Sequence, residues 1–364
     1  MSRFPVALAV LLLLAAPLPL TAQPRYRLIA ERGAGGALVS GINNRGDVAG
    51  RTAGGDGASH AFVRRDGVVT ALPHLVPDYR SSGAINLNEH GEVAGWSYAP
   101  VPPPFPGYST HAAYWSAETG AVNLTPDTTG LSIAYAINNH GEIVGNVMAG
   151  AQSGAFLWRV QRDGTVLSER LTPPSDWTAE VFDVSDRGLA AGARIDPEAN
   201  ALRPFVVDVR TKELTYLPAP RLQGQATAVN NLDQVAGSVL AFNNASHITI
   251  WNRSEEGAWL ATNLGTLPYP HGHCKPHAIN NRQELVGTCL ADGPVPPEAW
   301  LWANGKLTPV RELVSPDVAA HWQFYDAYDI NDSGVIVGSG VEDGRPAGFI
   351  LVPELPARRR SVRK

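Results

Sequence analysis

Charged side chains are scarce in this chain, and so are the familiar marks of catalysis. Lys, Arg, Asp and Glu make up 17% of the 364 residues, against a usual share of about 25%. There is no Gly-x-Ser-x-Gly elbow, no glycine-rich phosphate loop, no His-Glu-x-x-His and no calcium-loop pattern. The chain therefore offers no ready-made nucleophile, nucleotide cradle or metal motif. No stretch keeps a helical period long enough to predict a helix. Long apolar runs are absent apart from Val6 to Leu18, which prolines at 17 and 19 interrupt and which is short for a membrane span.

Arg3 before that run and Thr21-Ala22 after it read as a secretory signal peptide over residues 1–22, with Gln23 the first mature residue. No cysteine follows the run, which speaks against a lipid anchor. The expected location is secreted or periplasmic, with no membrane span in the mature chain. Residues 358–364, Arg-Arg-Arg-Ser-Val-Arg-Lys, read as a basic, solvated, disordered tail. Without Arg3 and the five basic residues of that tail, the net charge of −5 becomes −11. An acidic body argues against nucleic acid as the principal partner, because phosphate binding needs a basic surface.

Turn formers and repetition are plentiful. The chain holds 36 glycines and 29 prolines, which suits many short strands joined by turns. One phrase, Ile42-Asn43-Asn44-Arg45-Gly46-Asp47-Val48-Ala49-Gly50, is written seven times. It returns as Leu87 to Gly95, Ile137 to Gly145, Val184 to Gly192, Val229 to Gly237, Ile279 to Gly287 and Ile330 to Gly338. The intervals run from 45 to 51 residues, a period that signals a propeller, solenoid or array.

The phrase is a hairpin in miniature. Asn43-Asn44-Arg45-Gly46 fits a type I turn, with Asn capping the first position and Gly taking the left-handed last one. Asn230 to Asp233 and Asn280 to Gln283 lack that glycine, so a glycine-type bulge is less secure there. The glycine closing each phrase reads as a place where backbones approach closely. About ten residues later comes a third strand carrying Phe or Trp, such as His60 to Val63, Ala112 to Trp115, Ala155 to Trp158, Ile248 to Trp251 and Glu298 to Trp302. Its aromatics read as packing between adjacent sheets. A polar turn and a short fourth strand complete each unit. The last unit stops after its third strand, Gly348 to Val352, while an unassigned strand, Tyr26 to Ala30, precedes the first. The fold class that follows is all-β: a seven-bladed β-propeller of four-stranded antiparallel blades over residues 23–357, closed by the N-terminal strand pairing with the last blade.

The phrases I-N-x-x-G-x-V-x-G and A-F-x-W, each followed by a short apolar strand, resemble the HAF-type probable extracellular repeats of bacterial secreted proteins. The resemblance covers nearly the whole mature chain and departs most in the fourth unit, with Ser185, Ala190 and no Trp on its third strand. It implies an extracellular location and a propeller fold, and it carries no assigned chemistry.

Function is expected on the face with the long, varied connections. Its aromatics, Tyr79, Trp96, Tyr98, Tyr108, Trp177, Tyr269 and Trp322, could stack on sugars, anchor a protein partner, or simply cap the sheets. Asp78, Asp127, Asp176 and Asp317 each follow a proline by one or two residues; they could ring a channel mouth or merely start turns. The densest donor cluster is His271-Gly272-His273-Cys274-Lys275-Pro276-His277. His271, His273, His277 and the thiol could ligate zinc or copper, at a spacing that matches no known metal motif. Cys274 has a rival use. If Asn280 pairs with Gln283, Cys274 faces Cys289, and a cross-strand disulfide suits an exported protein; a one-residue bulge would turn the thiols to opposite faces. The leading expectation is a non-catalytic binding or scaffold propeller recognising a glycan or an exported protein, without a cofactor. The alternative is a propeller hydrolase or lyase using His271, His273, His277, His321 and the same aspartates.

Overall fold

The computed structural model describes residues 26–354 apart from 56, 79–80, 103–106, 174–177, 197, 222, 269–271 and 292. The signal-peptide segment, the tail and, among the proposed site residues, Tyr79, Asp176, Trp177, Tyr269 and His271 lie outside the described residues. The fold is all-β, built of four-stranded antiparallel units. The first unit runs Ala37–Ile42, Val48–Ala53, Ser59–Arg65 and Val68–Ala71, each strand paired with the next. The units that follow have inner strands Ser82–Leu87, Leu131–Ile137, Glu180–Val184, Gly224–Val229, His273–Ile279 and Trp322–Ile330. A single parallel bridge, Ser246 to His273, links the fifth unit to the sixth. In the last sheet Arg345–Pro353 has the N-terminal strand Tyr26–Glu31 on its outer side, in register from Tyr26↔Pro353 to Glu31↔Gly348. Tyr26 is buried there, and Ile29 packs against Val39, Val337 and Ile350.

Turn chemistry explains why the phrase repeats. The Asn43 carbonyl accepts from Gly46 N–H, and its Oδ1 accepts from the N–H groups of Arg45 and Asp47. Gly46 sits at φ 86°, where a Cβ would be strained. The two units without glycine make the same turn regardless. Asp233 at φ 57° and Gln283 at φ 62° take the left-handed position, which Asp tolerates and which Gln accepts because the surrounding hydrogen bonds fix it.

The closing glycines do mark close approach. A Cβ on Gly237 would run into the Gln225 carbonyl and the Trp251 ring; one on Gly287 would meet the Lys275 carbonyl and Trp300. Trp115, Trp158, Trp251 and Trp300 are fully buried between sheets, as their third-strand positions predict. Gly237→Ala should therefore cost about 2–3 kcal/mol, the usual penalty for overpacking a filled core. Guanidinium titration of the purified variant checks this, and an unchanged midpoint would contradict the packing.

Candidate functional site

Every inner strand carries a β-bulge at the same place, and Trp322–Ile330 has a second at Tyr325. The strand register skips Ser40, Ile85, Tyr135, Phe182, Thr227, His277 and Tyr328. Each stands two residues before the apolar residue that opens the repeated phrase. A bulge re-aims the side chain of the extra residue. Here all seven line one axial cavity of about 430 Å³. The residues on either side are mostly small or buried in the sheet interfaces, such as Val39, Ala84, Ala134, Val181 and Ala226.

The cavity is built in layers. At the outer register stand Leu38, Lys275 and, from second strands, Arg51 and Trp96. Arg51 pairs with Leu38 across the first hairpin, and its guanidinium carbon lies 5.9 Å from the Trp96 ring centroid. The Lys275 ammonium lies 5.5 Å from the Phe182 ring, and burial pushes its pKa down. The bulged residues form the middle layer. Tyr135 meets Phe182 edge-on at 5.8 Å, and His277 lies 5.4 Å from Tyr328. Burial holds His277 neutral, with its pKa lowered to about 3, and its Nε2 is buried without a hydrogen-bond partner.

The floor is the layer just before the Asn turns: Asn86, Ala136, Asp183, Ala278 and Asp329. Asp183 and Asp329 occupy equivalent positions in the fourth and seventh units. Each takes one backbone N–H on each oxygen. Asp329 accepts from Ile330 and, across to the first unit, from Ile42 at 2.9 Å. Asp183 accepts from Val184 and, across to the fifth unit, from Val229. Burial raises their pKa values to about 6 for Asp183 and about 7 for Asp329, and their mutual repulsion adds to the latter. Asn86 makes the same bridge to Ile137 N–H without a charge.

Below the floor the turns fasten the units to one another. The second turn residue of each unit donates its N–H to a side-chain oxygen of the next, through Glu89, Asn139, Asp186, Asn231, Asn281, Asp332 and back to Asn44, at 2.8–3.0 Å. The first turn Asn sends its Nδ2 to the next unit's carbonyl, as from Asn331 to Asn43. Ser185 interrupts this second belt, because its hydroxyl is too short to span the gap.

The other sequence-predicted residues fall in several places. Trp96 belongs to the strand Val93–Pro100 rather than a loop, and it lines the cavity. Tyr98 on the same strand and Tyr108 are exposed. Trp322 corrects the sequence reading: it is 6% exposed, stacked on Phe324 and edge-on to Phe349, so it is core and has no surface to offer. Asp78, Asp127 and Asp317 are exposed in the connections and do not line the cavity. His321 pairs with Asp343 at the surface. His273 stands beside Ser246, apart from His277. Cys274 is bonded to Cys289, which removes the thiol from any donor set. The hairpin begins in a register that pairs Ile279 with Leu285, and the bulge at His277 then brings Cys274 opposite Cys289. The bulge thus sets the thiols together instead of parting them. In the chain-entropy model a 15-residue separation contributes about 3 kcal/mol.

No protein-family model matches the chain, and no curated protein does. Solved structures do. The beta-propeller domain of the Trilobed protease from Pyrococcus furiosus aligns over 88% of this chain and 94% of its own, at 9% identity and TM-score 0.53. The Dos1 propeller aligns over 90% and 95%, at 9% identity and TM-score 0.51. A puromycin hydrolase aligns over 89% of this chain at 14% identity and TM-score 0.51, and the chain spans 52% of its length. At such identities the likeness is one of fold alone, and that fold is the β-propeller.

Proposed function

We propose that the chain is a seven-bladed propeller of the HAF-repeat kind, closed by its N-terminal strand and exported, and that it is a binding module. Its ligand, a small organic molecule or the end of a glycan or exported polypeptide, sits in the axial cavity, reached from the face of the variable connections. The observation that carries this reading is the ring of bulged residues. The framework around that position is uniform, yet the residue it presents differs in every unit except for two tyrosines. A uniform scaffold with one varied inward position is how a specialised site is grafted onto a repeat fold. The cavity volume falls in the range of small-ligand sites, and its lining mixes aromatics with a few polar groups.

The test is a cavity-filling variant. Ile85→Trp places an indole in the cavity and gives up no hydrogen bond. Ligand-observed NMR against a fragment and oligosaccharide library should show saturation transfer with the parent protein. The signal should vanish in Ile85→Trp, with the circular dichroism unchanged. Binding that survives the substitution would place the ligand elsewhere.

The hydrolase or lyase alternative has one observation in its favour, two carboxyls in the cavity titrating near neutrality. Product formation lost in Asp329→Asn would favour it over binding alone.

A further inference from the structure

The charged groups of the cavity are sorted along its axis. Among the residues of the floor layer, only Asp183 and Asp329 carry charge; the equivalent positions elsewhere are Gly41, Asn86, Ala136, Ala228 and Ala278. Each carboxylate has one backbone hydrogen bond per oxygen, and a carboxylate can accept about four. Lone pairs are therefore left for a ligand. The cations Lys275 and Arg51 line the outer register. Lys275 precedes the floor residue of its own strand, Ala278, by three residues and one bulge, which at the usual strand rise is about 7–10 Å. Neither cation has an ion pair within 4 Å among the described residues. Glu180 and Asp326 share that outer register without lining the cavity, and Glu180 is the carboxylate whose charge acts on Lys275. Between the two layers lie the rings of Tyr135, Phe182, Tyr328 and His277, with the unsatisfied His277 Nε2.

We infer that the cavity takes a short peptide, two or three residues long, with its amino terminus between Asp183 and Asp329, an aromatic side chain in the middle ring and its carboxylate toward Lys275 and Arg51. The separation of the charged layers selects this class. An α-amino acid holds its two charges too close together to meet both layers. An extended di- or tripeptide spans them, and its peptide group offers His277 Nε2 a hydrogen-bond partner. An ammonium between two carboxylates that repel one another also relieves that repulsion. Aromatic faces beside the ammonium add cation–π attraction.

This inference rests on the axial-cavity reading, and the experiment separates the two. Calorimetry would compare Phe-Gly, N-acetyl-Phe-Gly and Phe-Gly amide on the full-length mature protein. Acetylation removes the ammonium and should weaken binding at least tenfold. Amidation removes the carboxylate and should weaken it about threefold, an effect absent in Lys275→Met. Asp183→Asn and Asp329→Asn should each reproduce the loss caused by acetylation, and changing the probe keeps the test independent of how these variants fold. Acetylated peptide binding as tightly as Phe-Gly would overturn the peptide assignment. So would a protein that ignores all three peptides but binds other molecules blocked by Ile85→Trp, which leaves the cavity reading standing. Binding of any probe undiminished by Ile85→Trp would overturn both.

Discussion

Asp329→Asn is expected to remove a pH dependence of stability that the parent protein shows between about pH 4 and pH 7. The carboxyl has a folded-state pKa of about 7, raised from 3.8 by burial and by Asp183. Over that window the folded chain holds a proton that the unfolded chain has released. Stability linked to this group is fully present below about pH 4 and is lost as pH rises through 7. The pKa difference sets the loss at about 4 kcal/mol at most, with Asp183→Asn showing a smaller effect because its pKa rises only to about 6. His277 works in the opposite sense. Its pKa falls from 6.5 to about 3, so its contribution is present above pH 6.5 and lost as pH falls. Lys275 and Arg51 line the same cavity at its outer end. The two senses partly cancel in the parent curve, so the informative quantity is the difference between parent and variant in urea-unfolding free energy at each pH. A flat difference across the window would show that Asp329 titrates normally.

Deleting Tyr26–Glu31 should have a larger effect still. The strand pairs along its whole length with Arg345–Pro353. It buries Tyr26 in the apolar cluster of the last sheet, with its N–H donating to the Leu313 carbonyl, and places Glu31 3.0 Å from Arg64 of the first unit. Six paired residues and their apolar contacts amount to about 5 kcal/mol, from roughly 1 kcal/mol per hydrogen bond and the burial of one large ring. That is comparable with the whole stability of many domains. The truncated chain should unfold at a much lower guanidinium concentration and expose an unpaired edge that self-associates. A midpoint shifted by less than the equivalent of about 1 kcal/mol would mean that the strand is an ornament.

The repeat framework was legible because its chemistry is local. Asn and Gly at fixed turn positions, the closing glycine and the third-strand Trp each have one dominant physical use, and each is found in that use. The belt of N–H bonds below the floor had a visible signal that the turn reading did not use. The second turn residue is Asn44, Glu89, Asn139, Asp186, Asn231, Asn281 or Asp332, an acceptor side chain every time.

The cavity was not legible, because a bulge is a property of two strands and their register. Nothing in the inner strand alone announces that Tyr135 or Phe182 leaves the alternation. The trace it leaves is subtle: a varying residue preceded by a small or apolar one (Val39, Ala84, Ala134, Val181, Ala226, Pro276 or Ala327), two before the phrase begins. Loop composition drew the sequence reading outward instead. Trp96 directly follows the closing glycine Gly95 and continues its strand inward. Trp322 opens an inner strand whose first residue is already beneath the sheet.

Cysteine reactivity addresses the ring of bulged residues most directly. Ser40→Cys changes one atom at a residue that lines the cavity, and Val39→Cys sits next to it with no exposed surface. The native cysteines are bonded to each other and do not compete. A small methanethiosulfonate reagent should modify Ser40→Cys in the folded protein at least a hundredfold faster than Val39→Cys, and adding Ile85→Trp should suppress that reaction. Equal rates at the two positions, or a Ser40→Cys rate untouched by Ile85→Trp, would mean that the bulged side chains do not face a common axial cavity.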